Sequence, residues 1–168
     1  MGDHGQEREP TRSGGATTWA DFAGAAPELA ARGLARFDAT GLSLIGTLRR
    51  DGSPRISAVE PFVFDGHLAL GMMYRSMKAL DLLRDPRCVV HSTISNKDGT
   101  EGEFKVYGRA VAVDNKPTRD RYCEGLRAAT GWAPEGDEWH LWYVDIDQVS
   151  WFRSVGDGSH ETEVWRPG

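Results

Sequence analysis

The sequence predicts a mainly β protein of the α+β class, built as a small antiparallel barrel of six or seven strands with flanking helices. Segments in which apolar and polar residues alternate recur over most of the chain. Four Asp-Gly dipeptides lie between or beside these segments, and Asp-Gly favours the tight turns that join antiparallel strands. Such short connections exclude a doubly wound parallel sheet, whose strands need long crossovers.

The overall composition favours one globular domain. The chain has 168 residues and a net charge of −5, no apolar run long enough to span a bilayer, and no Lys/Arg block that would indicate nucleic acid. Residues 1–16 are polar without periodicity and are predicted to form a disordered arm, which leaves 17–168 as a single domain. Cys88 and Cys123 lack the spacing of a metal site or a disulfide framework, so we expect reduced thiols in a cytoplasmic protein.

Two helices are predicted ahead of the first strand. Apolar residues recur at three- and four-residue spacing from Trp19 to Phe37. Thr17 or Thr18 suits the N-cap, and Pro27 marks the start of a second helix. This spacing indicates packing against one face of the core. A helix that closes one end of the barrel or contacts a second subunit is the alternative.

The first three strands and a helix follow in order. Strands are predicted at 42–48, at 54–64 and at 67–74, with turns at Asp51-Gly52 and Asp65-Gly66. Pro61 must lie at an edge, a bulge or a bend, because its nitrogen donates no hydrogen bond to a sheet. Ser76 is predicted to cap a helix over 76–84, and Asp85-Pro86 ends that helix.

The second half of the chain holds the remaining elements. Strands are predicted at 87–95, at 103–113, at 140–153 with an interruption at 145–148, and at 161–165. Pro117 opens a helix that ends near Gly131, and residues 132–138 form a loop.

No hydrolase or nucleotide-binding motif occurs in the chain. The sequence lacks GxSxG, HExxH and GxxxxGK[ST], and its five histidines are scattered. We therefore expect no metal site, and the sequence assigns no catalytic residue.

An anion site is predicted where the helix over 76–84 begins. A helix N-terminus stabilises an anion, and here Ser76 adds a hydroxyl and Lys78 an ammonium group. If strands 54–64 and 67–74 pair in one register around their turn, Arg55 lies opposite Ser76. A guanidinium, an ammonium and a helix end would then meet at one phosphate. The alternative is that both cations are solvated and Ser76 is only a cap.

These segments resemble those of a known family. Arg55-Ile56-Ser57-Ala58, Gly71-Met72, Ser76-Met77-Lys78-Ala79 and Asp85-Pro86-Arg87, in this order, resemble the pyridoxamine 5′-phosphate oxidase-like split β-barrel flavoproteins. The resemblance covers residues 35–115 well and the rest only in outline. It implies a split β-barrel, a homodimer with FMN at the subunit interface, and a small-molecule substrate.

The resemblance also implies which residues bind the cofactor. Arg55 and Lys78 would hold the FMN phosphate, with Ser76 and Met77 beside them. The flavin ring would be edged by the backbone of Ile56, Ser57 and Ala58 and of Gly71 and Met72, and Glu103 stands where the family often has a glutamine facing the flavin. Glu60 replaces the lysine with which the true oxidase binds substrate phosphate, and that enzyme's C-terminal tryptophan and arginine block is not recognisable. Pyridoxamine phosphate oxidation is therefore not predicted.

Three functions remain open at this point. The first is an FMN-dependent oxidoreductase. The second is a deazaflavin-dependent reductase, whose coenzyme has a long acidic tail that Arg49, Arg50 and Lys105 could hold. The third is a non-catalytic, cofactor-binding dimeric module, and the family also has haem-binding members. Four aromatic residues either line the ring site or fill the core and the dimer contact: Trp139, Trp142, Trp151 and Phe152.

Overall fold

The computed structural model describes residues 15–168, so residues 1–14 of the predicted N-terminal arm lie outside the described part. The helices are α1 (Trp19–Ala25), α2 (Pro27–Asp38), α3 (Met77–Arg84) and α4 (Lys116–Thr130). The strands are β1 (Ser43–Leu48), β2 (Pro54–Val59), β3 (Pro61–Phe64), β4 (His67–Met73), β5 (Arg87–Ser92), β6 (Glu103–Ala112), β7 (Trp139–Ser154) and β8 (His160–Trp165).

The strands form one antiparallel sheet that curls into an open barrel. Their order is β2-β1-β5-β6-β7-β4-β3, and β8 adds to β7. β2 and β3 stand at opposite ends of this order, yet only Glu60 separates them in the chain. Because one residue cannot bridge a flat sheet of seven strands, the sheet must bend until the end of β2 lies close to the start of β3. The predicted α+β split-barrel class is thereby confirmed.

The strand count is higher than predicted, because residues 54–64 form two strands instead of one. Pro61 cannot donate to a sheet, and the chain changes partners there: β2 pairs with β1 and β3 pairs with β4. Pro61 is the first residue of an edge strand, as predicted. The predicted interruption at 145–148 is a bulge within a continuous β7. Tyr107 pairs with Gln148 and Gly108 pairs with Ile146, so one residue of β7 is left over.

Helices α1 and α2 fill the barrel interior from one end. Thr18 caps α1 in a capping box with Asp21, as the sequence predicted. The rings of Trp19 and Phe37 pack against Phe104 of β6 with centroids 6.1 and 5.3 Å apart. α2 approaches so closely that a Cβ at Gly33 would overlap the Phe104 ring. The predicted helix pair therefore packs on the core.

Helix α4 covers the outer face of the sheet beside the split. It ends at Gly131, whose φ of +78° gives the left-handed C-cap predicted for that position. Its buried residues join those of β4 and β7 in a second apolar cluster: Ala69, Tyr122, Leu126, Ala133, Trp139 and Leu141. None of the helices in the described part is long and apolar enough to cross a membrane.

Candidate functional site

A cavity of about 480 Å³ lies at the split of the barrel. The end of β2 contributes Ala58 and Val59, and the end of β4 contributes Gly71 and Met72. Lys78 of α3 lines it as well, and α4 with the loop that follows it supplies the remaining wall. Elements that are far apart in the chain therefore form this cavity only when the sheet has curled.

The shape of the cavity depends on Gly71. A Cβ at this position would lie 3.1 Å from the Tyr122 hydroxyl, so glycine lets that ring approach the strand. Tyr122 is buried, and burial raises the pKa of its hydroxyl far above the ordinary value. The side chain therefore stays protonated and serves as a wall, not as a general base.

The first turn of α3 has unused hydrogen-bonding groups. Ser76 occupies the predicted N-cap, but its side chain makes no capping hydrogen bond. Its Oγ atom is buried and has no hydrogen-bond partner among the described residues. The first N–H groups of a helix also lack intrahelical acceptors. Such buried donors require a ligand or water, and a phosphate oxygen would satisfy them.

Lys78 lies in the first turn of α3, as its second residue, and is the sole cation that lines the cavity within residues 15–168. In that same range its ammonium group forms neither an ion pair nor a hydrogen bond with protein. Its charge adds to the positive end of the helix dipole. Ser76 stands at the adjacent N-cap but does not itself line the cavity. That the two residues bind one phosphate stays a prediction.

The turn that leads into α3 has a fixed conformation. Arg75 has a φ of +51°, in the left-handed region that costs energy for a residue with a Cβ. Its N–H donates to His140 Nε2 at 3.2 Å, and the Tyr74 ring stacks on His140 with centroids 5.5 Å apart. Burial, with help from the charge of Arg119, lowers the pKa of His140, which keeps the ring neutral and able to accept this bond. The start of α3 is thereby held in place.

The predicted pairing of Arg55 with Ser76 is wrong. The expected register does hold for β3 and β4, where Pro61 pairs with Leu70 and Phe64 with His67. Arg55, however, belongs to β2 and pairs with Thr47 of β1, because the strand breaks at Pro61. The assumption of one continuous hairpin caused the error.

Arg55 reaches α3 by another route, through Asp81. Its Nε donates to Asp81 Oδ2 at 2.6 Å, and Thr47 Oγ1 donates to the same oxygen at 2.9 Å. Arg84 donates to the other carboxylate oxygen at 3.3 Å. Burial alone would raise the pKa of Asp81, but these hydrogen bonds outweigh it and hold the pKa below its ordinary value. An ionised, 2% exposed aspartate therefore fixes the Arg55 side chain beside α3.

A second, basic cleft of about 710 Å³ lies against α3 and shares Arg55 with this network. Its lining holds five arginines against two aspartates: Arg49, Arg50, Arg55, Arg75 and Arg84, with Asp51 and Asp81. The cleft therefore brings together Arg49 and Arg50, which the sequence offered for an acidic tail. Lys105 lies elsewhere and donates to Glu103 at 2.5 Å.

The remaining predicted residues occupy different positions. Met77 lines the basic cleft with Arg55. Ile56 is 71% exposed, Ser57 is half-buried, and neither lines the cavity or the basic cleft. Glu103 begins β6, which β1 and β5 separate from β2, and it lines neither space within one chain. The hydrogen bond from Lys105 lowers the pKa of Glu103, which keeps it ionised.

The aromatic residues of β7 divide between the cavity and the core. Trp139 lines the cavity, whereas Trp142 and Trp151 belong to the main core cluster and Phe152 stacks near His160. Sequence reasoning missed four further lining residues of the loop between α4 and β7, namely Trp132, Pro134, Glu135 and Glu138. The signal in the sequence was a tryptophan in a loop rich in proline, glycine and acids.

Comparison with known proteins gives matches among solved structures. No family sequence model and no curated protein sequence matches the chain. A Clostridium acetobutylicum protein related to general stress protein 26, of the pyridoxine phosphate oxidase family, superposes with a TM-score of 0.59 at 11% identity, over 78% of this chain and 89% of that chain. PhzG from Burkholderia lata, solved in complex with tetrahydrophenazine-1-carboxylic acid, gives 0.59 at 14% identity, over 83% and 91%.

A haem-binding protein from Mycobacterium smegmatis gives a TM-score of 0.56 at 20% identity, over 79% of this chain. This chain spans 57% of the length of that protein. Identities this low show the fold alone. The chain has the pyridoxamine 5′-phosphate oxidase-like split-barrel fold that the sequence resemblance implied.

Proposed function

We propose that this protein binds FMN at the split of the barrel and acts as a flavin-dependent oxidoreductase on a small molecule. The observation that carries the proposal is the start of α3. There the buried Ser76 hydroxyl has no hydrogen-bond partner in the described chain, and Lys78 lines the cavity without forming an ion pair there. A phosphate group supplies the acceptors and the negative charge that both residues require.

The cavity beside this helix end suits a flavin ring. Its volume of about 480 Å³ falls within the usual range for small-molecule sites. Met72, Leu126 and Trp139 give it apolar walls, and Gly71 leaves room along the strand backbone. The residues present therefore fit FMN, with Lys78 at the phosphate end and Ser76 beside it at the N-cap of α3. Arg55 lies farther along α3, where Asp81 fixes it.

The protein residues would bind and orient, while FMN, when bound, supplies hydride transfer at its N5 atom. Lys78 and Ser76 hold the phosphate end, and the backbone of Ala58 and Gly71 positions the ring edge. Tyr122, which is buried, forms part of the inner wall. This division of labour accounts for the lack of an assigned catalytic acid or base.

The proposal predicts that the purified protein carries flavin or binds it. We expect the absorbance spectrum of a flavin, and quenching of FMN fluorescence on titration with micromolar affinity. Reduction of the bound flavin by a nicotinamide, followed by reoxidation by an added acceptor, tests enzymatic activity against a non-catalytic binding module. A colourless protein that leaves FMN fluorescence unchanged would overturn the proposal, and a haem Soret band would favour haem binding instead.

The basic cleft favours the deazaflavin coenzyme as a second candidate cofactor. Five arginines line a space next to the proposed phosphate site, which is where a long acidic tail could continue. If this candidate is right, the deazaflavin coenzyme binds more tightly than FMN. The double change Arg49→Gln/Arg50→Gln then weakens binding of the deazaflavin coenzyme and leaves FMN binding unchanged. If the double variant lost the same affinity for both cofactors, or no affinity for either, FMN would be favoured.

We also propose that the protein is a homodimer. Ile56 and Leu44 are 71% and 41% exposed on β2 and β1, where a monomer would leave an apolar strand surface in water. Light scattering after size exclusion should give twice the chain mass. Ile56→Glu should shift the protein toward monomer, whereas Leu34→Glu on the exposed face of α2 should not. A monomeric wild-type protein contradicts this proposal.

A cytoplasmic location is proposed from the thiols. Cys88 and Cys123 are both unpaired, and burial raises the pKa of Cys88 to about 12, so that thiol is inert. Two free cysteines suit a reducing compartment.

A further inference from the structure

The cavity at the split carries an excess of negative charge at its lining. Glu60, Glu135 and Glu138 all line it, and all three are exposed. Within residues 15–168 none of the three forms an ion pair or a hydrogen bond. Lys78 is their one cationic counterpart in the lining, and it lies at the end proposed for phosphate. Apart from Lys78, the charged lining of the cavity is therefore acidic.

The cavity lining also holds an open aromatic surface. Trp132 lines the cavity and is 59% exposed, which is unusual for so large an apolar side chain. The neighbouring Trp139 is 7% exposed, and the guanidinium of Arg119 already covers its ring at 4.1 Å. Both tryptophans line the cavity, but Trp139 is buried and already has a cation over its ring, whereas Trp132 is exposed. A tryptophan face attracts a cation as well as an apolar ring.

We infer that the cavity takes an aromatic or otherwise apolar substrate that carries a positive charge, such as an amine. Its apolar part packs against Trp132, and its ammonium group lies among Glu60, Glu135 and Glu138. Carboxylates around a recess with low-dielectric walls focus their field, which raises the local concentration of cations and repels anions. The inference rests on the proposed function, because it assumes that the cofactor ring shares this cavity.

Three probes of equal ring size and different charge test the inference directly. They are 2-(aminomethyl)naphthalene, the neutral 2-naphthalenemethanol and the anionic 2-naphthoate, each titrated into FMN-saturated protein by calorimetry. Because each exposed carboxylate contributes modestly, the amine should bind about tenfold more tightly than the alcohol, and the acid most weakly. The preference should shrink as salt is added. Equal affinities for the amine and the alcohol would overturn the inference.

Matched variants locate the effect. Glu135→Gln/Glu138→Gln should reduce the preference for the amine over the alcohol about fivefold, since two of three carboxylates are lost. Glu28→Gln/Asp38→Asn removes the same charge from the exposed face of α2 and should leave the preference unchanged. Trp132→Leu should weaken binding of the amine more than binding of the alcohol, because only the cationic amine loses a cation–π contact. If both double variants reduced the preference for the amine equally, the preference would come from the net charge of the protein. That result would overturn the inference of an acidic substrate site in the cavity.

The same titrations separate this inference from the proposed function. FMN affinity is read independently from flavin fluorescence. If FMN binds but the probes show no charge preference, the substrate inference fails and the proposed function stands. If FMN does not bind, the proposed function fails, and repeating the probe titrations on FMN-free protein decides the inference: a retained preference for the amine supports the acidic cavity, and its absence overturns it.

Discussion

Lys78→Ala is expected to weaken FMN binding by about 1.5–3 kcal/mol, which is about 10- to 150-fold in Kd. The ammonium of Lys78 has no partner in the described chain, so its removal deletes a charge-assisted contact without breaking an internal one. Titration of flavin fluorescence measures the change. The free energy of unfolding should stay within about 0.5 kcal/mol of the wild-type value, as for other half-exposed surface positions.

Riboflavin provides the internal control for this prediction. It has the same ring as FMN but no phosphate, so its affinity should not respond to Lys78→Ala. Lys97→Ala, in an exposed loop, is the matched control for loss of one positive charge. If Lys78→Ala leaves FMN binding unchanged, the phosphate does not lie at the start of α3. Loss of FMN binding in Arg49→Gln/Arg50→Gln would then place the FMN phosphate in the basic cleft.

The elements that depend on local sequence could be predicted. Thr18, Pro27 and Gly131 each have a direct conformational reason for their place, and they mark helix ends where expected. The turn at Asp65-Gly66 likewise set the register of β3 against β4. Ser76 and Lys78 were found together because a helix start and its first turn are close in sequence.

The failures of prediction concern long-range geometry. Arg55 was placed opposite Ser76 by extending one hairpin through Pro61, whereas the chain changes partner strands there. Trp132 lines the cavity only because α4 folds over the outer face of the sheet, a contact that no local pattern encodes. Asp81 was missed too, although a charged residue between Ala79 and Leu82 on the buried face of α3 was a visible signal.

Asp81→Ala is expected to lower the free energy of unfolding by about 3–5 kcal/mol, the usual cost of removing one partner from a buried ion pair. The change leaves the Arg55 guanidinium without its carboxylate and the buried Thr47 hydroxyl without its acceptor. Urea denaturation measures the loss. Asp38→Ala, at an exposed end of α2, should change stability by less than about 0.5 kcal/mol. A similarly small effect of Asp81→Ala would contradict the assigned network.

The pH dependence of stability gives a second readout for Asp81. Its folded-state pKa lies below the ordinary value of 3.8, so the ionised form contributes stability above that pH. This contribution is lost as the pH falls through the folded pKa. The stability difference between wild type and Asp81→Ala should therefore be constant from neutral pH to about pH 5 and shrink below about pH 4. If this stability difference did not change on acidification, the stability lost in Asp81→Ala would come from packing and not from the charge of Asp81.

Asp81 also decides whether Arg55 contributes to the cofactor or only to the fold. Asp81→Asn retains the side-chain shape but removes the charge that fixes the guanidinium, and it should be the less destabilised of the two variants. If Arg55 helps to bind phosphate, Asp81→Asn lowers the FMN affinity relative to riboflavin by about three- to tenfold. If Arg55 is purely structural, both affinities fall together or neither does. The FMN-to-riboflavin ratio, measured in folded Asp81→Asn protein, thus separates a positioning role from a stabilising one, because loss of stability alone cannot favour one flavin over the other.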